Sequence, residues 1–208
     1  MDRALALGFD QLGRTAPNPA VGCVIAGPQG FIAGGATADG GRPHAERMAL
    51  DAAGDRARGA DVFVTLEPCA HHGQTPPCAE ALIAAAVGRV HIACLDPDPR
   101  TAGRGASLLE AAGIAVEIGL GSEAAETLNA GFFKRVRTGL PLVGLSETGV
   151  RFDAEITLTA GVDPMALLRR LADEGATRLF ARPGTETARL LLGAGLVDSP
   201  PAGEKTGR

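Results

Sequence analysis

Residues 43–46 read Pro43-His44-Ala45-Glu46, and residues 65–78 read TLEPCAHHGQTPPC, which contains Pro68-Cys69 and ends on Cys78. These two stretches offer one imidazole and two thiols to a zinc ion, plus a carboxylate that the ion does not need as a ligand. Three protein ligands leave the fourth tetrahedral position open to water, which distinguishes a catalytic zinc from a closed structural one. Three of the four histidines (His44, His71, His72) and two of the four cysteines fall within them.

Working outward, the pattern on both sides alternates strands with helices. Residues 2–12 read as a helix with Leu5, Phe9 and Leu12 on one face. The stretch GRTAPNP (13–19) breaks it, because proline removes a donor and restricts its predecessor. Residues 21–26 and 31–35 flank Gly27-Pro28-Gln29-Gly30 and predict a hairpin. From His44 a helix runs to Gly54. Residues 61–66 and 89–95 predict buried strands, 79–86 and 105–112 helices, 114–118 a strand and 123–133 a helix. The fold class is therefore α/β, a layered domain with a partly parallel sheet, complete near residue 140. In residues 141–208, 163–174 predicts a helix with Met165, Leu168 and Leu171 on one face, 177–181 a short strand and 186–192 a second helix. The tail SPPAGEKTGR (199–208) has the composition of a disordered end. One strand and two helices are a thin basis for an independent core.

A hydrophobic share of 45% with 21% charge suits a globular domain that buries a real core. A net charge of −4, with no Tyr or Trp, leaves neither an electrostatic footprint nor a stacking platform for nucleic acid. No run approaches the roughly 18 apolar residues of a membrane span, and the start lacks the apolar core of a signal peptide. Four cysteines without framework spacing point to a reducing cytoplasm. Cys23 and Cys94, inside apolar runs, are expected as buried strand residues.

In a helix middle His44 and Glu46 would diverge by about 200°. At the first turn they can share a target, because side chains lean toward the helix N-terminus. Pro43 suits that start, where its missing N–H costs nothing. Cys78 follows Pro76-Pro77 at the start of its own helix, and partial positive charge there favours thiolate. Two thiolates cancel the formal charge of zinc, so Glu46 is needed as the proton shuttle for a water that attacks an amino-bearing ring carbon and releases ammonia. The set matches the zinc-deaminase signature H-x-E…P-C-x-x-C, except that eight residues rather than two separate the cysteines. Two competing readings are a plain helix start for the His-x-Glu pair, and a structural zinc closed by His71. Gly103-Arg104-Gly105 before a helix offers an anion cradle or a plain turn.

The wider cysteine spacing is itself a family mark. TAPNPAVGCVI (15–25), PHAE (43–46), TLEPCAHHGQTPPC (65–78), DPDPRTAGRG (96–105) and LNAGFFKRVRTGLP (128–141) closely resemble the deaminase half of the bifunctional riboflavin-biosynthesis deaminase/reductase. The resemblance implies the cytidine-deaminase-like fold, a five-stranded mixed sheet between helices. It also implies one zinc on His44, Cys69 and Cys78, Glu46 as proton shuttle, and a phosphorylated diaminopyrimidinone ribosylamine as substrate. Asn18, His71 and Asp96 match positions that line the pocket in that family. Three positions depart from its pattern: Thr37 replaces a His, Gln74 a Lys or Arg, and Asp98 an Asn. All three weaken the reception of a phosphate dianion, for which charge-assisted bonds are the strong ones; Arg42, where the family often has Glu, is expected to restore one charge. This leaves open a zinc deaminase of another aminated ring, and a non-catalytic binding or assembly protein.

Residues 163–198 resemble a late stretch of the reductase half, with Arg182-Pro183-Gly184 where a Glu-Gly-Gly turn is usual. The opening motif of that half is unrecognisable in VGLSETGVRFD (143–153) and its cofactor-binding middle is missing, which argues against reduction. We therefore read 1–140 as a zinc-dependent deaminase domain and 141–208 as a truncated reductase-like remnant. Its Leu-rich helices are expected to pack on the deaminase or form a homo-oligomer contact.

Overall fold

The computed structural model describes residues 1–72, 76–159 and 161–198. Gln74 and the tail from Ser199 lie outside the described residues. The chain runs α1 (Asp2–Phe9), β1 (Gly22–Gly27), β2 (Gly30–Ala36), α2 (Ala45–Ala53), β3 (Asp61–Val64), α3 (Cys78–Ala84), β4 (Arg89–Ile92), α4 (Arg104–Ala111), β5 (Ala115–Ile118) and α5 (Ser122–Thr138). The strands form one five-stranded mixed sheet in the order β2-β1-β3-β4-β5. The hairpin makes β1 antiparallel to both β2 and β3, whereas β3, β4 and β5 are parallel. Val62, Val64, Val90 and Ile92 of the central parallel strands are fully buried, as near-continuous apolar strands covered on both faces must be. In such a sheet the usable crevice lies beyond the carboxyl ends of the strands. The segments that leave β3 and β4 carry Cys69 and Asp96 there.

Several boundaries shift. Helix α1 stops at Phe9, and Leu12 reaches the core from the turn that follows. Helix α5 continues past Phe133 to Thr138. Arg135 and Arg137 in its last turn suit the negative helix end, and Gly139, at φ 70°, supplies the left-handed stop. Cys23 is buried in β1, but Cys94 lies just beyond β4, where its buried thiol donates to the Thr65 carbonyl at 3.4 Å.

The C-terminal part holds more structure than its sequence suggested. It runs β6 (Leu142–Leu145), β7 (Ala154–Glu155), α6 (Pro164–Asp173), β8 (Arg178–Ala181) and α7 (Glu186–Gly193). Its strands form a three-stranded parallel sheet, ordered β6-β8-β7. Val143, Ile156, Leu168, Leu179 and Leu191 build a second apolar cluster. The expectation of a single strand fails because β7 is only two residues long and β6 is interrupted by Gly144, so that pairing with β8 makes both of them strands. Helix α6 is capped by Asp163, whose carboxylate accepts from Met165 N, with proline in the first turn. Asp198 ties the end of this part back: its carboxylate accepts from Lys134 Nζ of α5 at 2.7 and 2.8 Å and from Val143 N at 2.7 Å. No helix among the described residues is long and apolar enough to cross a membrane.

Candidate metal centre and pocket

His44 is the N-cap of α2, with extended backbone (φ −70°, ψ 158°), and Glu46 is the second helical residue. This corrects the placement of Pro43, which precedes the cap instead of opening the helix; its carbonyl accepts from Ala38 N at 3.0 Å. The cap position lets the imidazole stand off the helix while Glu46 leans back toward the same end. Cys69 arrives from β3 by way of Thr65, whose N–H and hydroxyl pair with the Gly22 backbone at 3.0 and 3.1 Å. Cys78 opens α3, and its N–H donates to the Cys69 sulfur at 3.2 Å.

His44 Nδ1 lies 3.8 Å from the Cys69 sulfur and 3.3 Å from the Cys78 sulfur, and the three ligand atoms lie within 4.8 Å of one another. Zinc bonds of about 2.0–2.3 Å at tetrahedral angles separate nitrogen and sulfur ligands by roughly 3.5 Å. The two observed separations bracket that figure, so the His-Cys-Cys group fits one zinc ion. His71 does not join it: its Nδ1 sits 3.4 Å from the Thr101 hydroxyl. Among the described residues nothing closes a fourth ligand position.

The charges around the centre are strongly displaced. The Cys69 thiol is pulled down to about 4 by its hydrogen bond from Cys78, with further help from His44. Cys78 is pushed far up, because it keeps the proton it donates to Cys69 and is buried besides. The hydrogen bond to Cys69 raises His44. Binding a metal ion would strip both thiols. Glu46 is 4% exposed, and burial lifts its carboxyl to about 7, near the value at which a group both takes and gives protons efficiently at neutral pH.

His44, Cys69 and Glu46 line a pocket of about 100 Å³ whose wall includes Asn18, Arg42, His71 and Asp96. Of the described residues marked from the sequence for the site, all but Cys78 line this cavity, and Cys78 lines the neighbouring cleft with His44 and Arg42. The Asn18 side-chain amide donates to the Gly41 carbonyl at 2.9 Å, and burial raises the Asp96 carboxyl to about 6. Thr37 lines the pocket, yet its buried hydroxyl accepts from Val21 N at 3.0 Å and so serves the hairpin. Asp98 is not an uncompensated negative charge: Arg100 Nε donates to both its oxygens at 3.0 Å and holds the carboxyl below the usual range.

Glu67 was missed by sequence reasoning. It is 3% exposed, and its carboxylate accepts from the N–H groups of Asp96, Gly103, Gly105 and Ala106 at 2.9–3.2 Å. The expected cradle at Gly103–Gly105 exists, but the anion in it is the chain's own side chain. Gly105 permits this approach, since a Cβ there would fall 2.0 Å from the Pro68 carbonyl oxygen. The one signal was position: an acid two residues before Cys69 in an otherwise apolar strand end.

Residues 1–94 match the family model of the cytidine and deoxycytidylate deaminase zinc-binding region. A diaminohydroxyphosphoribosylamino-pyrimidine deaminase of Buchnera aphidicola subsp. Schizaphis graminum is 46% identical over 143 residues, 68% of this chain and 96% of its own length. The chain belongs to the riboflavin-biosynthesis deaminase family. RibD of Escherichia coli (strain K12), also of this deaminase family, is 50% identical over 160 residues, 76% of this chain and 43% of that protein. With RibD of Bacillus amyloliquefaciens the match extends over 203 residues at 40% identity, 96% of this chain and 53% of that protein. The chain thus spans about half, or less, of the length of these RibD relatives. Among solved structures of the family, RibD of Acinetobacter baumannii superimposes with a TM-score of 0.82 at 30% identity, covering 95% of this chain and 83% of that one.

Proposed function

We propose that this deaminase hydrolyses 2,5-diamino-6-ribosylamino-4(3H)-pyrimidinone 5′-phosphate to the corresponding aminouracil, releasing ammonia. One observation carries the reading: His44 and Cys69 of the zinc-fitting group and the buried carboxyl of Glu46 face the same small pocket. When bound, zinc supplies Lewis-acid polarisation and a water acidic enough to be activated near neutral pH. Glu46 takes one proton from the attacking water and gives it to the ring nitrogen, then takes the second proton from the hydroxyl now on carbon and gives it to the departing amine. The ring carbon gains oxygen and loses ammonia, and no redox partner is needed. Asn18, His71 and Asp96 hold the ring's polar edge, and Arg42 answers the negative charge of the phosphorylated arm. Residues 1–140 are the deaminase unit and 141–208 a reductase-like segment without a second activity, whose described residues pack on the deaminase. The partner is a small cytoplasmic metabolite rather than nucleic acid, and the Leu-rich C-terminal helices offer a contact for a second copy.

The test is ammonia release from the phosphorylated diaminopyrimidinone by the zinc-loaded chain, with metal analysis and Glu46→Ala as control. One zinc per chain and turnover that Glu46→Ala lowers by about 10²–10⁴-fold are expected. Zinc without ammonia release from any aminated pyrimidine would refute the enzymatic reading. A second substrate reading, an unphosphorylated aminated ring, draws on Thr37 being tied to Val21 and Arg100 to Asp98. A KM for the phosphorylated substrate that is unchanged in Arg42→Ala would favour it.

A further inference from the structure

Besides its contacts with α5, the C-terminal part touches the deaminase along residues 9–18, a stretch that runs into the pocket wall. The Arg151 guanidinium lies 5.7 Å from the Phe9 ring centroid. Gly13, at φ 81°, lies against the Phe152 backbone so closely that a Cβ would fall 2.5 Å from its carbonyl oxygen. The turn after α6 lies on Pro17: a Cβ on Gly175 would sit 3.1 Å from the Pro17 Cβ. Arg135 bridges these pieces. From the last turn of α5 its Nε donates to the Ala172 carbonyl at 2.8 Å and its Nη1 to the Pro17 carbonyl at 3.3 Å. Ala172 lies at the carboxyl end of α6, where exposed carbonyls and the helix dipole both favour a cation. The next residue after Pro17 is Asn18, which lines the pocket.

We propose that Arg135 is a positioning residue for the deamination, and that the C-terminal sheet and helices serve as the backing that holds Asn18 against the substrate. Arg135 touches neither the metal ligands nor Glu46, so its loss should spare the chemical step and weaken substrate capture. A cleft of about 500 Å³ lined by Pro17, Asn18, Arg135 and Ala172 adjoins the pocket. The guanidinium bridge to the Pro17 carbonyl and the turn at Gly175 restrain Pro17 beside this cleft. This rests on the functional reading above for its kinetic readout.

The experiment compares the full-length zinc-loaded parent with Arg135→Ala and Arg135→Lys, each also in an Asn18→Ala background. Arg135→Ala is expected to raise KM about tenfold with kcat within twofold and zinc content unchanged, and Arg135→Lys to recover part of the loss through its single donor. In the Asn18→Ala background the KM effect of Arg135→Ala should vanish. A tenfold effect that persists there, or a KM unchanged in the single variant, overturns the proposal. Amide hydrogen exchange over residues 14–19 gives a readout that needs no substrate: faster exchange in Arg135→Ala supports the restraint, and unchanged exchange overturns it. Should Arg135→Ala not fold, Arg135→Lys carries the same KM and exchange tests. A parent that releases no ammonia would refute the functional reading, and the exchange result would still decide this one.

Discussion

Asp96 illustrates how a single pocket carboxyl records its surroundings. Burial raises it to about 6, against an ordinary value of 3.8, although Asp98 N donates to it at 2.8 Å. The folded protein therefore prefers the protonated form. That contribution is fully present below about pH 4 and is lost as pH rises through about 6. Asp96→Asn should remove this slope from a plot of melting temperature against pH. It should also leave the variant more stable than the parent above pH 6, by about 1–2 kcal/mol once solvent screening at a partly exposed carboxyl is allowed for. Parallel pH profiles for the two proteins would contradict the assignment. Zinc content should not change, since Asp96 is outside the ligand group.

At the scale of elements, the connection between β3 and α4 depends on Glu67. Its two oxygens accept from three backbone N–H groups at the entrance of α4 and from Asp96 N in the segment after β4; the Gly105 and Ala106 donors would otherwise be buried without this partner. Glu67→Gln turns one acceptor into a donor facing N–H groups. It should cost about 2–4 kcal/mol, visible as a fall in melting temperature of roughly 5–10 °C. An unchanged melting temperature would mean that water replaces the carboxylate without loss. Glu67 also marks the limit of what the sequence revealed. His44, Glu46, Cys69 and Cys78 were legible because ligand chemistry restricts residue type and each lies at a helix start or strand end that local pattern announces. Glu67 and Thr37 depend on which backbone segment folds against them across tens of residues, and nothing local encodes that. The five strands of the main sheet were legible from their apolar runs. Strands β6 and β7 were not, because their pairing to β8, rather than their own composition, makes them strands.

For the whole molecule, the two sheets are joined by α5 and fastened at the far end by Asp198. The Lys134–Asp198 pair is half-buried, and the same carboxylate accepts from Val143 N. Asp198→Ala leaves the β6 amide and the Lys134 ammonium without this partner. A loss of about 1–3 kcal/mol is expected, with cooperative unfolding by circular dichroism at lower denaturant and zinc binding intact. A variant as stable as the parent would show that the second sheet holds its place through apolar packing alone.

His44, Cys69 and Cys78 belong to three separate pieces of chain: His44 caps α2, Cys78 opens α3, and Cys69 lies in the segment that follows β3. The two sulfurs are brought together by the start of α3, not by the spacing between them. His71 stands in the stretch between them, on the pocket wall. Substitutions at His71 are therefore expected to alter which ring is admitted while leaving the His-Cys-Cys group in place.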